Sequence, residues 1–269
     1  MFSVVIPAFN CENTICEVLD SVLNQTRVDL IHEVIIVNDG STDKTDTAIR
    51  KYIEANPELH IVYIQQTNQG VSKTRNKAIR MAKAEWIALL DSDDLWKKDK
   101  IEKQYNILKE NEGIVFLGSH VPLKFWWKKH EGLYKLNAKE LCVRSMPTTP
   151  SVVFRKDVGV KHGLFNEGMS FCEDINFYQK FLLNDSYYVL AEELVEISYS
   201  KKYFAQSGLS SKLYEMHKGR NHNVKELHEM GLISAGYMYA MLMINELKFL
   251  RRYIQQKIKK LMFRMDNAS

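Results

Sequence analysis

The sequence has little of what marks a disulfide-stabilised, disordered or membrane-spanning protein. Its 269 residues include only 4 cysteines and 5 prolines. The cysteines form no CxxC pair and show no zinc-binding spacing, so we interpret them as reduced thiols without a functional role. Proline is too scarce for a disordered linker. No apolar run approaches the roughly 20 residues that a membrane-spanning helix needs.

Neither the charge nor the start of the chain predicts a nucleic-acid-binding or secreted protein. The 37 Lys and Arg residues against 33 Asp and Glu give a formal net charge of +4. That excess is too small and too dispersed to predict nucleic-acid binding by itself. The first residues, MFSVVIPAFN, enter a strand-like run at once, without the basic start and small-residue cleavage site of a secretory signal. We therefore expect a cytoplasmic location.

Short β-branched runs alternate with amphipathic helical patterns through the first hundred residues. Strands are predicted at 2–6, 33–37, 60–64 and 86–90, and helices at 14–24, 44–55 and 72–82. This alternation predicts an α/β fold with a mainly parallel, Rossmann-like sheet and helices on both faces. The strands are apolar throughout because central parallel strands are covered on both sides.

The alternation becomes less regular after residue 98. Further helices are predicted at 100–110 and 174–183, and further strands at 114–117, 151–154 and 187–190. Helical patterns dominate from about residue 209 to the end. We therefore expect one α/β domain at 1–211, with halves 1–98 and 99–211, and a basic, amphipathic, helical extension at 212–269.

Polar segments follow the first four predicted strands. They read PAFN, NDGSTD, NQG and DSDD in chain order. Ligands bind beyond the carboxyl ends of the strands in open parallel sheets, so these segments predict one shared site. Each segment also has a structural interpretation, as a turn or a helix N-cap, that its local sequence does not exclude.

The segment DSDD places Asp91 and Asp93 directly after a buried strand. Neighbouring carboxylates repel one another, and a divalent cation that prefers oxygen ligands relieves that repulsion. A Mg²⁺ or Mn²⁺ ion is therefore the natural partner of the carboxylates of Asp91, Asp93 and Asp94. The alternative is an Asx-turn that caps a helix after Leu95.

Three other segments add candidate nucleotide-binding residues. Asp39, after the second strand, can accept a hydrogen bond from the imide N–H of uracil. Gly70 permits close approach of the backbone, and Phe9 can flank a base. Arg75 lies in the first turns of a helix, where it can contact a diphosphate or form a surface ion pair.

The segments SVVIPAFN, VIIVNDGSTDKT, NQGVSKTRNKA and ALLDSDD resemble, in order and approximate spacing, the family 2 glycosyltransferases of GT-A fold. The later segments TTPSVVFRK, HGLFNEGMSFCEDINFY and SGLS resemble that family's acceptor half. The resemblance spans about residues 2–211. It implies an inverting enzyme that transfers a hexose or N-acetylhexosamine from a UDP-sugar to a hydroxyl of a bacterial surface glycan, such as lipopolysaccharide, capsule or another lipid-linked oligosaccharide.

The resemblance also implies roles for individual residues. Asp39 reads the base, Asp91 lies near the ribose, and Asp93 binds the metal. Glu173 and Asp174 match the family's catalytic acidic pair, in which the aspartate is the general base; charge at a helix N-terminus is the structural alternative. The other residues implied for donor binding are Pro7, Ala8, Phe9, Asn10, Glu12, Gly70, Arg75 and Ser92.

The segment YSKKYFAQSGLS departs from the family pattern, in which an Arg and a His precede a C-terminal Ser. Lys201 or Lys202 could supply the charge of the Arg, but the segment contains no His. A lysine also cannot form the bidentate contact of a guanidinium. The sequence therefore does not predict a phosphate or metal contact from this segment.

Residues 246–264 combine seven basic residues with an apolar helical stripe. The pattern predicts either peripheral contact with an anionic membrane, at the inner face of the plasma membrane, or packing on the core or on a second subunit of a homo-oligomer. The apolar positions are Leu247, Leu250, Ile254, Ile258 and Leu261.

Three other functions are alternatives to the transferase. A nucleotidyltransferase needs a phosphate loop rich in Gly, Arg and Lys after its first strand, and PAFNCEN lacks one. A nucleic-acid-binding role is supported only by the C-terminal charge, so no nucleic-acid partner is expected. The alternative left open is a catalytically silent, nucleotide-sugar-binding scaffold of a glycan-assembly complex.

Overall fold

The computed structural model describes residues 1–120, 131–144, 147–197 and 212–266. Lys201, Lys202 and the SGLS segment lie outside these ranges. The strands are β1 (Phe2–Ala8), β2 (Ile31–Asp39), β3 (Ile61–Gln66), β4 (Trp86–Leu89), β5 (Asp94–Trp96), β6 (Phe116–His120), β7 (Leu133–Lys135), β8 (Val153–Arg155), β9 (Tyr188–Glu193) and β10 (Val195–Ile197). The helices are α1 (Ile15–Leu23), α2 (Thr45–Ala55), α3 (Val71–Met81), α4 (Lys100–Glu110), α5 (Ala138–Arg144), α6 (Lys156–Lys161), α7 (Glu173–Gln179), α8 (Leu213–Glu229) and α9 (Ala235–Asp266).

The central sheet has eight strands in the order β3-β2-β1-β4-β8-β6-β9-β7. Strands β1 to β4 are parallel, β8 runs antiparallel between β4 and β6, and β7 is antiparallel to β9. A separate antiparallel pair joins β5 to β10. The mainly parallel sheet is therefore confirmed, and it brings the ends of β1, β2 and β4 to one edge.

Both faces of the sheet are covered, as the continuous apolar strands predict. Within β1, Val4 and Ile6 pack into one core with α1, whereas Val5 packs into the other core with Ala78 and Ile79 of α3. These side chains are all essentially buried. A strand covered on both faces needs apolar residues at every position, which explains the absence of strict alternation.

Two predicted elements differ in the structure. The strand predicted at 114–117 is shifted to Phe116–His120, because its backbone pairs with β9 from Leu117 onward. The helix predicted at 174–183 is α7 followed by a tighter 3₁₀ helix at Lys180–Asn184. In the 3₁₀ helix, the ring of Phe181 packs against that of Phe116, with 4.9 Å between the ring centroids. The helix predicted at 100–110 is confirmed as α4, and the strand β5, paired with β10, lies between the DSD segment and this helix.

The C-terminal extension is an antiparallel pair of helices, α8 and α9, whose small core also includes Ala138 of α5. Gly219 lets α8 approach the loop before α7, because a Cβ atom there would lie 2.5 Å from the carbonyl oxygen of Phe171. The hairpin therefore packs on the element that carries Glu173 and Asp174. Among the described residues, no helix is both long and apolar enough to cross a bilayer.

Candidate active site

A cavity of about 810 Å³ lies where β1, β2 and β4 end. That volume is typical of small-molecule sites. Most of the residues predicted to bind a nucleotide and a metal converge on it. These lining residues are Pro7, Ala8, Phe9, Asp39, Gly70, Arg75, Asp91, Ser92 and Asp93.

Asn10 and Glu12, which the family resemblance implies for the nucleoside pocket, do not line this cavity. The side-chain oxygen of Asn10 accepts a hydrogen bond from the backbone N–H of Thr42 at 2.9 Å. A carboxylate oxygen of Glu12 accepts one from the N–H of Lys44 at 2.7 Å. Both side chains therefore tie the loop after β1 to the loop after β2, because those loops carry otherwise unpaired N–H groups.

Asp39 is almost fully buried at the end of β2. Its carboxylate accepts hydrogen bonds from the N–H groups of Gln69 at 2.8 Å and Gly70 at 2.9 Å, and from the side-chain amide of Gln66 at 2.8 Å. Gly70 has a φ of 90°, which favours glycine. Asp39 therefore shapes the loop that lines the cavity, and an ionised carboxylate has capacity for a further donor.

Arg75, on α3, lies between two carboxylates. One terminal nitrogen donates to Asp91 at 2.7 Å and the other donates to Glu173 at 3.2 Å. The side chain is only 7% exposed, so this is a buried network and not the surface ion pair that the sequence left open. Burial alone lowers the pKa of Arg75, but the charges of Asp91 and Glu173 outweigh it and raise that pKa above its ordinary value.

Asp174 follows Glu173 in the first turn of α7 and is partly exposed. Burial, together with the negative charge of Glu173, raises the pKa of Asp174 to about 6, although Arg75 and the N–H of Ile175 act in the opposite direction. A carboxyl group with a pKa near the working pH is suited to general base catalysis. Neither acidic residue lines the cavity itself; Arg75 links them to Asp91, which does.

Glu173 was predicted as catalytic together with Asp174. Its side chain is 10% exposed and binds Arg75. Its carboxylate is therefore turned toward the guanidinium of Arg75.

Asp91 and Asp93 are the acidic side chains that fit a metal ion at this cavity. In the ranges that the structure describes, no group of three or more His, Cys, Asp or Glu side chains is arranged to hold a metal. Mg²⁺ is commonly held by one or two carboxylates together with phosphate oxygens of a substrate. Asp91 and Asp93 fit this arrangement of carboxylates and substrate phosphate. The loop that carries them is held by a hydrogen bond from Thr14 to the backbone carbonyl of Ser92, at 2.7 Å.

The contacts that attach the second half of the chain to α3 were not predicted from the sequence. The amide of Asn76 donates to the carbonyl of Phe165 at 2.9 Å and accepts from its N–H at 3.0 Å. Ser72 donates to the carbonyl of Met169 at 3.3 Å. The available signal was Asn76 itself, because a polar residue on the buried face of an amphipathic helix needs partners. The other lining residues missed are Asn68, Gln69, Val71, Thr74, Glu167, Ser170 and Lys212.

Two solved structures share this fold. S. aureus TarS in complex with UDP-GlcNAc has a TM-score of 0.71 and 21% identity, over 94% of this chain and 72% of that one. The mannosyltransferase PcManGT from Pyrobaculum calidifontis, in complex with GDP-Man and Mn²⁺, has a TM-score of 0.64 and 17% identity, over 93% of this chain and 86% of that one. The likeness confirms the predicted GT-A fold.

Sequence comparisons agree with the fold. TuaG of Bacillus subtilis, a glycosyltransferase assigned to teichuronic acid biosynthesis, is 40% identical over 110 residues, which cover 41% of this chain and 42% of TuaG. This chain spans less than two thirds of the length of the curated relatives that it matches. The profile described as Glycosyl transferase family 2 matches residues 3–151, more than half of the chain. On that match, and as its strand-end motifs predicted, the chain belongs to glycosyl transferase family 2.

Proposed function

We propose that this chain is an inverting glycosyltransferase that moves a hexose or N-acetylhexosamine from a UDP-sugar to a hydroxyl of a bacterial surface glycan. One observation carries the proposal: Arg75 bridges Asp91, in the cavity wall, to Glu173, which directly precedes Asp174. The bridge holds a candidate base next to a nucleotide-sized cavity. Inversion requires a base on the side of the reacting carbon opposite the leaving group, and Asp174 is the residue that we propose for that role.

The cavity supports binding of a uridine nucleotide. Asp39 retains acceptor capacity for the imide N–H of uracil, and Phe9, which is 50% exposed, offers a ring or backbone surface to the base. TarS, of the same fold, binds UDP-GlcNAc. A UDP-sugar is therefore the donor class that we propose.

Asp93, with Asp91, would hold Mn²⁺ or Mg²⁺ together with the donor's diphosphate. When bound, the ion neutralises the charge that develops on the leaving nucleotide diphosphate. Because Asp91 also binds Arg75, we assign the larger share of metal binding to Asp93. PcManGT is a structural neighbour of this chain that contains Mn²⁺ with its nucleotide sugar.

Asp174 would remove the proton from the acceptor hydroxyl as that oxygen attacks the anomeric carbon. The ionised carboxylate is the reactive form, and the raised pKa makes it a stronger proton acceptor than an ordinary aspartate. Glu173 and Arg75 would position it. The acceptor that we propose is a polymeric or lipid-linked surface glycan at the cytoplasmic side of the membrane, in keeping with the assignment of TuaG to teichuronic acid biosynthesis.

The test is a panel of nucleotide sugars with and without Mn²⁺, read first by thermal unfolding. A bound ligand at a hundred times its Kd stabilises the folded state by about 2.7 kcal/mol. We expect UDP-sugars to give the largest increase in Tm, in a Mn²⁺-dependent manner. Asp93→Asn should abolish the Mn²⁺ dependence, whereas Asp99→Asn, which removes an exposed partner of Lys103, should retain it.

The second reading is slow hydrolysis of radiolabelled UDP-sugars without an acceptor. Release of free sugar from the donor that stabilises the protein supports a transferase. Stabilisation by a UDP-sugar with no hydrolysis, and no transfer to any surface glycan, would establish the silent scaffold instead.

A further inference from the structure

Helix α9 has an uncovered apolar stripe along its length. At about 100° per residue, the stripe's side chains fall within an arc of about 100°, and they extend over roughly 28 Å of helix. Each of them is about half exposed or more. They are Tyr239 (65%), Met243 (67%), Leu247 (64%), Leu250 (52%), Ile254 (47%) and Ile258 (50%).

The opposite face of α9 packs against α8. Met238, Met241 and Asn245 are buried in the contact with α8. Beyond that contact, residues 251–258 are all exposed. A helical segment without tertiary packing is only marginally stable in water. Contact of the stripe with another apolar surface would therefore stabilise this part of α9.

We propose that this stripe docks on an anionic membrane surface, with α9 lying in the plane of the interface. Lys257 and Arg251 flank the stripe on its two sides, and Lys248 lies farther around the helix. Between residues 235 and 258 the single acidic residue is Glu246, which is bonded to His217 at 2.8 Å. An apolar stripe between basic residues is complementary to acyl chains beneath anionic headgroups.

The same charges disfavour a second copy of the chain as the occupant. Packing two α9 stripes together would bring the flanking lysine and arginine residues of both helices near each other. Glu246 is the one carboxylate in this stretch that could compensate, and the same stretch carries four basic residues, Lys248, Arg251, Arg252 and Lys257. Like charges along the edges of a helix pair weaken it.

Docking would also bring the cavity toward the membrane. The ring of Phe249 lies 6.2 Å from that of Tyr214, near the start of α8. Lys212, directly before α8, lines the cavity. The membrane-facing helix thus passes close to one side of the candidate site. This consequence rests on the proposed function. The acceptor would then be a glycan carried by a lipid in the same membrane.

The test is co-sedimentation of the whole chain with vesicles of phosphatidylcholine alone or with phosphatidylglycerol added. We expect binding to the mixed vesicles, weakened by salt, and little binding to the neutral ones. The double variant Leu250→Glu, Ile254→Glu should weaken binding by more than about tenfold, because it removes two apolar contacts. The double variant Gln255→Glu, Gln256→Glu adds the same charge elsewhere on the helix and should bind much more tightly than the first.

Three outcomes would overturn the proposal. The first is equal binding to neutral and anionic vesicles, and the second is an equal loss of vesicle binding in both double variants. The third is a dimer in solution that the double variant Leu250→Glu, Ile254→Glu dissociates, when vesicles bind neither the dimer nor the variant. Stabilisation by UDP-sugar, measured on each variant, reports the fold and the donor site separately. Failure of membrane docking is therefore distinguishable from failure of the proposed reaction.

Discussion

The two sides of the cavity are constructed differently. On the donor side, the loops after β1, β2 and β4 bind one another through short contacts such as Asn10 to Thr42 and Thr14 to Ser92. On the side of the candidate base, the segment before α7 is attached through α3, by Asn76, Ser72 and Arg75. The proposed donor side is thus assembled by its own motifs, whereas the candidate base depends on long-range contacts with α3 and α8.

The largest expected effect separates the two sides by removing the base. Asp174→Asn should lower kcat by about 10²–10⁴-fold, which is the range of general base catalysis. The Tm increase produced by UDP-sugar should be unchanged, because the donor loops are untouched. Asp185→Asn, at an exposed residue paired with Lys135, is the control and should retain activity. An Asp174→Asn protein with full transfer rate would remove Asp174 as the base.

Replacing Arg75, which bridges Asp91 and Glu173, should weaken both sides of the cavity at once. Arg75→Met leaves Asp91 and Glu173 without their buried cation, and breaking such a network costs about 3–5 kcal/mol. Arg80→Met, on the same helix, breaks an exposed pair with Glu167 at 3.6 Å and should cost less than about 1 kcal/mol. Urea unfolding measures both values. Similar losses in the two variants would show that the bridge is not a special element of the site.

The pH dependence of activity tests the base alone. Because Asp174 acts when ionised and its pKa is raised to about 6, kcat/KM should rise with pH through a midpoint near 6 and level off above it. Glu173→Gln should move the midpoint to lower pH, since the charge of Glu173 is one cause of the raised pKa. A profile that is flat between pH 5 and pH 8 (about one unit on each side of the midpoint or more) would contradict the assignment.

The smallest expected effect concerns the packing of α8 behind α7. Gly219→Ala places a methyl group 2.5 Å from the carbonyl oxygen of Phe171 and should cost about 1–3 kcal/mol of unfolding free energy. Gly236→Ala, in α9, meets no atom within 4 Å and should be neutral or stabilising. Thermal unfolding compares them. Equal Tm values would mean that the close approach of α8 is dispensable.

The same contrast explains what the sequence could predict. The strand-end segments carry their structure locally, so the sheet, the place of Gly70 in the cavity wall and the convergence of Asp39, Asp91 and Asp93 followed from periodicity and position. Asn10 carries no mark of which neighbour its side chain will bind, and its contact with Thr42 is set by the adjacent loop. Asn76 and Glu173 likewise acquire their roles from residues about 90 to 100 positions away, which no local pattern encodes.

Strand β8 has a consequence for how substrates enter. It pairs with β4 on one side and β6 on the other, with Phe154 opposite both Ile87 and Phe116. Swinging the two halves apart about a hinge would require these ladders to break, whereas shifts of rim segments would not. Donor exchange should therefore be governed by local rearrangement at the cavity rim, and fluorophores attached to α2 and α6 should keep a constant separation through the catalytic cycle.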